Sequence, residues 1–216
     1  MPLVTEPRLT APPPIVPRPP RGGEGGNNND SGRPRSEITA RIAIYVGMIA
    51  STMTFLALVS AMVVRRGLAT NHDWHRMPIP PLLWWNTVAL VVSSVAIDLG
   101  RRGCREGNRR KFHFFWLTGA ALGTWFLIGQ IINWKFLASH GFYMQHNPAS
   151  AFFYILTWAH AAHVVGALAA LYFVAARMMF FPFIPMNRNI LEVSTIFWHF
   201  LDVMWLLLMS LFVFWA

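Results

Sequence analysis

Apolar residues in this chain neither alternate nor recur in short amphipathic stripes. They gather into five long blocks, at about 38–64, 80–99, 114–137, 149–176 and 193–216, separated by shorter polar, charged or Pro/Gly-rich breaks. A helix needs about 20 largely apolar residues to cross roughly 30 Å of hydrocarbon. Segments of roughly ten alternating residues, the mark of a transmembrane β-barrel, are not seen. The pattern predicts an all-α fold, a polytopic transmembrane bundle of five helices. The second block opens on Pro80 and Pro81, which suit a first turn whose N–H groups lack intrahelical partners. It ends on Asp98 and then Gly100, Arg101, Arg102 and Gly103. Gly141 and the Asn147-Pro148 pair punctuate a short connection between blocks three and four.

The segment before the first block is a different material. Its first 36 residues hold nine of the fifteen prolines and five of the fifteen glycines. Such a stretch cannot bury enough apolar surface to offset the entropy of ordering it. Residues 1–37 are therefore expected to form a disordered cytoplasmic tail, with 38–216 as the transmembrane domain. No apolar stretch precedes Ile38, so the tail is not read as a secretory signal, and the first helix serves as an uncleaved anchor.

Composition sharpens this picture. The chain is 55% apolar and only 12% charged, where globular chains average about 25% charged. Its mean hydropathy is +0.40. The net charge of +9 would suit nucleic acid, but the basic residues lie between apolar blocks. With the tail inside, fourteen of the 18 basic residues fall on the cytoplasmic side: Arg8, Arg18, Arg21, Arg33, Arg35, Arg41, Arg101, Arg102, Arg105, Arg109, Arg110, Lys111, Arg177 and Arg188. Only Arg65, Arg66, Arg76 and Lys135 lie outside. Positive residues favour the cytoplasm, so the N-terminus is expected inside and the C-terminus outside. The basic excess then reflects topology and anionic lipid headgroups, with no nucleic-acid partner. A single cysteine, Cys104, excludes a disulfide framework, a four-thiolate zinc site and a cysteine-held iron–sulfur cluster.

The informative residues are the polar ones inside the blocks. Asp202 falls near the middle of the fifth, where a charge costs at least about 2.5 kcal/mol and should face protein. His199 lies three residues earlier on the same helical face, flanked by Trp198 and Trp205. His160 and His163 repeat that spacing in the fourth block, beside a small-residue stripe of Ala162, Gly166 and Ala170. Three readings stay open. These side chains join helices four and five across the bundle, or they ligate a metal or haem, or they serve a proton or lipid headgroup. Bis-histidine haem needs single facing ligands on two helices, which paired histidines do not supply.

Weaker signals follow. In block two, Thr87, Ser94 and Asp98 share a face and Asn86 and Ser93 a neighbouring one. Block three carries Gly119 and Gly123 in a GxxxG, with Gln130 and Asn133 nearer its outer end. Trp84, Trp85, Trp116, Trp134 and Trp215 fall near block ends, where an interfacial belt is expected. His72, His75, His140 and His146 fall in outer connections. No nucleotide loop, nucleophile elbow or zinc-protease motif is present.

Four segments resemble subunit III of the haem-copper oxidases, the cytochrome c oxidase subunit III family. Residues Met77 to Thr87, continuing to Ser93-Ser94, resemble the family's PxPPLLWLNT…SS opening of a helix. Gly129-Gln130, Trp134, Gly141, Tyr143 and Asn147-Pro148 are similar to its next helix end and outer loop. Phe152 to Thr157, with His160, His163 and Gly166, resembles FFYxLTGxHGxHxxxG, and Phe197 to Trp205 resembles YWHFVDVVW. Together these span about 38–216.

The resemblance implies a non-catalytic subunit of a proton-pumping terminal oxidase in a bacterial inner membrane. It implies no catalytic, cofactor-binding or metal residue in this chain, with haem and copper in subunits I and II. It also implies subunit I as main contact, subunit II, a small subunit IV, bound phospholipid, support of proton uptake and of enzyme durability, and cytochrome c or quinol as donor to the complex. The candidate buried polar, lipid or interface residues are His160, His163, Trp198, His199, Asp202, Trp205, Asn86 and Gln130. Many members have seven helices, and the pair without a counterpart here is in some relatives supplied by a C-terminal extension of subunit I. Members often carry a glutamate in the helix matching block one, whereas this chain has Ile49-Ala50-Ser51-Thr52-Met53-Thr54. Ala161-Ala162 replaces the usual Gly-Leu. Competing classes are a quinol oxidase or nitric-oxide-reductase-associated relative, a stand-alone haem-b cytochrome and a small transporter. Against the last, neither internal repeats nor broken helices are seen.

Overall fold

The computed structural model describes residues 32–68, 80–141, 148–180 and 188–215. They form α1 (Gly32–Gly67), α2 (Pro81–Arg105), α3 (Arg109–Ser139), α4 (Pro148–Phe180) and α5 (Arg188–Trp215). All five are long and apolar enough to span a membrane, and among the described residues there is no strand. The chain is an integral membrane protein of all-α class. The expected tail lies outside the described residues as far as position 31, while 32–37 already belong to α1. His72, His75 and His146 also lie outside them, and His140 caps the end of α3.

Most helix ends overrun their apolar blocks. Backbone hydrogen bonding need not stop where side chains turn polar, and arginine and lysine stems can carry their charges outward along the helix. The effect is largest between α2 and α3, where a charged connection of fourteen residues was expected from the block ends. Here α2 continues through Arg105 and α3 begins at Arg109. Gly107 makes the corner at φ +74°, a left-handed conformation that glycine adopts without a Cβ penalty. Its N–H donates to Cys104 O at 3.2 Å, and that of Asn108 to Gly103 O at 3.0 Å, the bond pair of a Schellman ending. Asn108 then caps α3, its side-chain oxygen accepting from Lys111 N–H at 3.1 Å.

Packing closes a four-helix unit: α2 lies on α3, α3 on α4, α4 on α5, and α5 back on α2. Among the described residues α1 packs against α4 and α5 only. The core between them holds Phe126, Phe153, Trp198, Trp205 and Phe212. At one end Glu192 of α5 accepts from Arg41 of α1 at 3.0 Å and from Arg105 of α2 at 3.4 Å. Arg41 also reaches Asn189 Oδ1 at 2.7 Å. The start of α1, the end of α2 and the start of α5 therefore share one side of the bundle.

Candidate functional site

The two polar stripes of α2 serve different neighbours. Asn86 and Ser93 face α3. Ser93 Oγ–H donates to Gly119 O at 2.8 Å, and the Asn86 amide fills the notch left by the missing side chain of Gly129. Thr87 and Ser94 face α5. Thr87 Oγ1 accepts from Trp205 Nε1–H at 3.0 Å. Ser94 Oγ–H donates to Asp202 Oδ2 and lies 2.8 Å from His199 Nδ1. A hydroxyl has one proton, so with it given to the carboxylate, Ser94 accepts from an Nδ1–H tautomer of His199. Asp202 is 7% exposed, and its second oxygen, Oδ1, has no partner among the described residues.

The four-residue stripe on α5 divides among three helices. Asp202 and His199 turn to α2. Trp198 lies over Gly123 of α3, where a Cβ would strike its ring. Trp205 packs between Phe126 of α3, at 4.8 Å between centroids, and His160 of α4, at 5.0 Å.

The histidines of α4 also diverge. His160 is fully buried among Phe126, Trp205 and Phe55, and neither ring nitrogen has a hydrogen-bond partner among the described residues. His163 turns to α1: its Nδ1–H donates to Ala159 O at 2.8 Å, and its Nε2 accepts from Ser51 Oγ–H at 3.1 Å. No hydrogen bond joins His160 or His163 to His199 or Asp202; His160 meets α5 through the ring of Trp205 instead. Among the described residues no three His, Cys, Asp or Glu side chains come close enough to hold a metal ion. Gln130 and Asn133 are buried on α3 with amides unpartnered among the described residues. Ala162 and Gly166 face outward: Ala162 lines an open groove between α3 and α4, and nothing lies within 4 Å of a Cβ placed on Gly166.

Some contacts were invisible in the sequence. Ser51 is one of three hydroxyls in a six-residue stretch, and hydropathy does not say which meets His163. Trp134 bonds Thr157 Oγ1 at 3.1 Å, and Trp116 is fully buried with its Nε1–H on Leu171 O at 3.0 Å. Both differ from the interfacial belt expected of them, because in each case a neighbouring helix offers the indole an acceptor. Trp84 and Trp85 are exposed as a belt requires, and the side chain of Trp215 lies outside the described set.

These contacts are the ties that hold a membrane bundle. Interhelical side-chain bonds there average about 0.6 kcal/mol and reach about 1.7, and small residues let backbones approach. The chain shares this helical pattern with a known family: the family model described as "Cytochrome c oxidase subunit III" matches residues 36–216, which takes in α2 to α5 whole and α1 from position 36 onward. The chain belongs to the cytochrome c oxidase subunit III family. Among subunit III relatives, "Cytochrome c oxidase subunit 3" of Corynebacterium diphtheriae is 34% identical over 144 residues, 63% of this chain and 68% of that one. "Probable cytochrome c oxidase subunit 3" of Nocardia farcinica is 28% identical over 191 residues, 81% of this chain and 93% of that one. The Mycobacterium tuberculosis protein of the same name is 27% identical over 124 residues, covering 57% and 61%. The stretch matched to that last relative is thus less than two thirds of its length.

Proposed function

We propose that this chain is the non-catalytic subunit III of a respiratory haem-copper terminal oxidase, seated on the larger haem-carrying subunit. The single observation that carries this reading is the family match across all five helices. The divergence of the span histidines supports it further. His163 is spent on Ser51 and Ala159, and His160 sits among aromatic rings, so neither arrangement is a ligand set. Haem and copper are then carried by partner subunits, and cytochrome c is the donor to the complex. A lipid role is supported by an apolar groove of about 470 Å³ between α1 and α5, lined by Phe55, Leu56, Val59, Leu207, Leu211 and Phe214, which suits a hydrocarbon chain. The end that gathers Arg41, Arg105 and Glu192 faces the cytoplasm of a bacterial inner membrane, following the positive-inside bias. There the subunit supports proton uptake and the durability of the enzyme.

The test is purification through this chain in mild detergent with a reduced-minus-oxidised spectrum of the product. Larger subunits with a-, b- or o-type haem and oxygen consumption are expected, and the haem types and donor use identify the class. A lone 24.5 kDa chain without haem, from detergent shown to keep oxidases whole, would sink the reading.

A further inference from the structure

Two carboxylates lie on the α2–α5 side of the bundle and are treated differently. Asp98 of α2 is fully paired: Arg101 holds Oδ1 at 2.6 Å and Arg102 holds Oδ2 at 3.0 Å. Asp202 of α5 lies about 21 Å along its helix from Arg188, at 1.5 Å per residue. Among the described residues its Oδ1 is buried without a partner, and Oδ2 alone is bonded, to Ser94. An ionised carboxylate at that depth is expensive unless it is paired, whereas a carboxylic acid needs no cation.

Ser94 joins this carboxyl to His199. With Asp202 ionised, Ser94 donates to Oδ2 and accepts from the Nδ1–H of His199, which leaves Nε2 bare. A proton added to that Nε2 lets both bonds reverse. The Nδ1 proton passes to Ser94 Oγ, and the Ser94 proton passes to Oδ2. The product is a carboxylic acid donating to Ser94, which now donates to Nδ1, with a neutral His199 carrying its proton on Nε2. One proton is taken up, the cluster becomes neutral, and the same heavy atoms stay in contact.

The chain of bonds has one open end. Oδ1 is sealed, so a proton reaches Asp202 through Ser94 and His199. His199 is half-buried and lines the α2–α5 groove, whose inner end carries Asp98 and the exposed Arg102, with Arg101 held on Asp98. Asp98 lies four residues from Ser94, about 6 Å toward that end. Outward along the same face of α2 the next polar group is Thr87, about 10 Å from Ser94. Its proton goes to Leu83 O and its oxygen takes the Trp205 Nε1–H, so it continues no relay. On α4, His160 meets Trp205 and not the carboxyl. We propose that Ser94, His199 and Asp202 form a blind-ended proton-binding site, in which one proton enters at His199 Nε2 from the cytoplasmic end and is kept on Asp202 Oδ2. With no exit, the site stores a proton and does not pass it across the membrane. This deepens the proposed support of proton uptake and rests on that reading for which end is cytoplasmic.

The experiment is infrared spectroscopy at neutral pH of the full chain, purified with its native partners in lipid nanodiscs, before and after transfer to heavy water. A carboxylic-acid carbonyl band that shifts on deuteration is expected in the wild type and absent from Asp202→Asn, whose amide can donate to Ser94 as the acid does. Loss of carboxylate bands in its place would overturn the proposal. His199→Phe should keep the acid band and slow its deuterium shift at least tenfold. A purely structural tie between Asp202 and Ser94 would leave that rate unchanged, and an unchanged rate would overturn the entry route. Ser94→Ala should move the acid band and slow its exchange, which identifies the band even if Asp202→Asn does not fold. The spectra are read on whatever assembly purifies with the chain. A preparation without haem would remove the oxidase reading and leave the proton site to stand or fall on the band.

Discussion

The first helix and the four that follow are about equally suited to lipid, yet they are held very differently. Within its most apolar stretch α1 has only 6% of its residues buried, against 39–44% for α2 to α5. Its anchors are Phe55 and Met62 among apolar residues, the Ser51–His163 bond, and the Arg41–Glu192 pair at its end. α2 and α3, by contrast, meet through glycine notches at Gly119 and Gly129, with Ser93 bonded to a facing carbonyl. Hydropathy therefore reports the solvent, not the neighbour. Lipid tails are as apolar as leucine, so an apolar side chain gains nothing by moving from lipid to protein unless the packing is close or polar groups pair. The Ala162–Gly166 surface of α4 carries the same lesson, since small residues permit contact without compelling it.

This contrast can be broken from the four-helix side first. Trp205→Ala should have the largest effect, about 3 kcal/mol of lost stability, because a fully buried indole in contact with Phe126, His160 and Thr87 is replaced by a void. Unfolding in mixed detergent followed by circular dichroism measures it. A loss below about 1 kcal/mol would mean that the α2–α5 unit is not the stable part.

Gly129→Val comes next, at about 1–3 kcal/mol, since its side chain would occupy the place of the fully buried Asn86 amide. The same measurement applies, and Gly166→Val, where nothing lies within 4 Å of a Cβ, should leave stability almost unchanged. Equal losses for the two would erase the distinction between notched and open helix faces.

Ser51→Ala should be the mildest, about 0.6 kcal/mol, and confined to α1. Hydrogen exchange resolved by helix should show faster exchange in α1 with α2 to α5 unmoved. Acceleration throughout would show that α1 is part of one cooperative unit with the rest.

Five spans, their approximate limits and the family were legible in the sequence because each depends on local information: block length, charge placement, and short runs such as Phe197 to Trp205. The faces were legible too, since the 3.6-residue period groups Thr87 with Ser94 and Asn86 with Ser93 whatever surrounds them. What the tertiary structure alone decided is which face meets which helix. His199 and Asp202 could equally have met the histidines of α4, and they meet Ser94 of α2 instead. His160 and His163, three residues apart, diverge toward a cluster of aromatic rings and toward Ser51. A helix period fixes direction around an axis but not the arrangement of axes. That arrangement follows from where glycines let backbones close and where buried hydroxyls, amides and indoles find partners, and such pairings exist only once all the helices are assembled.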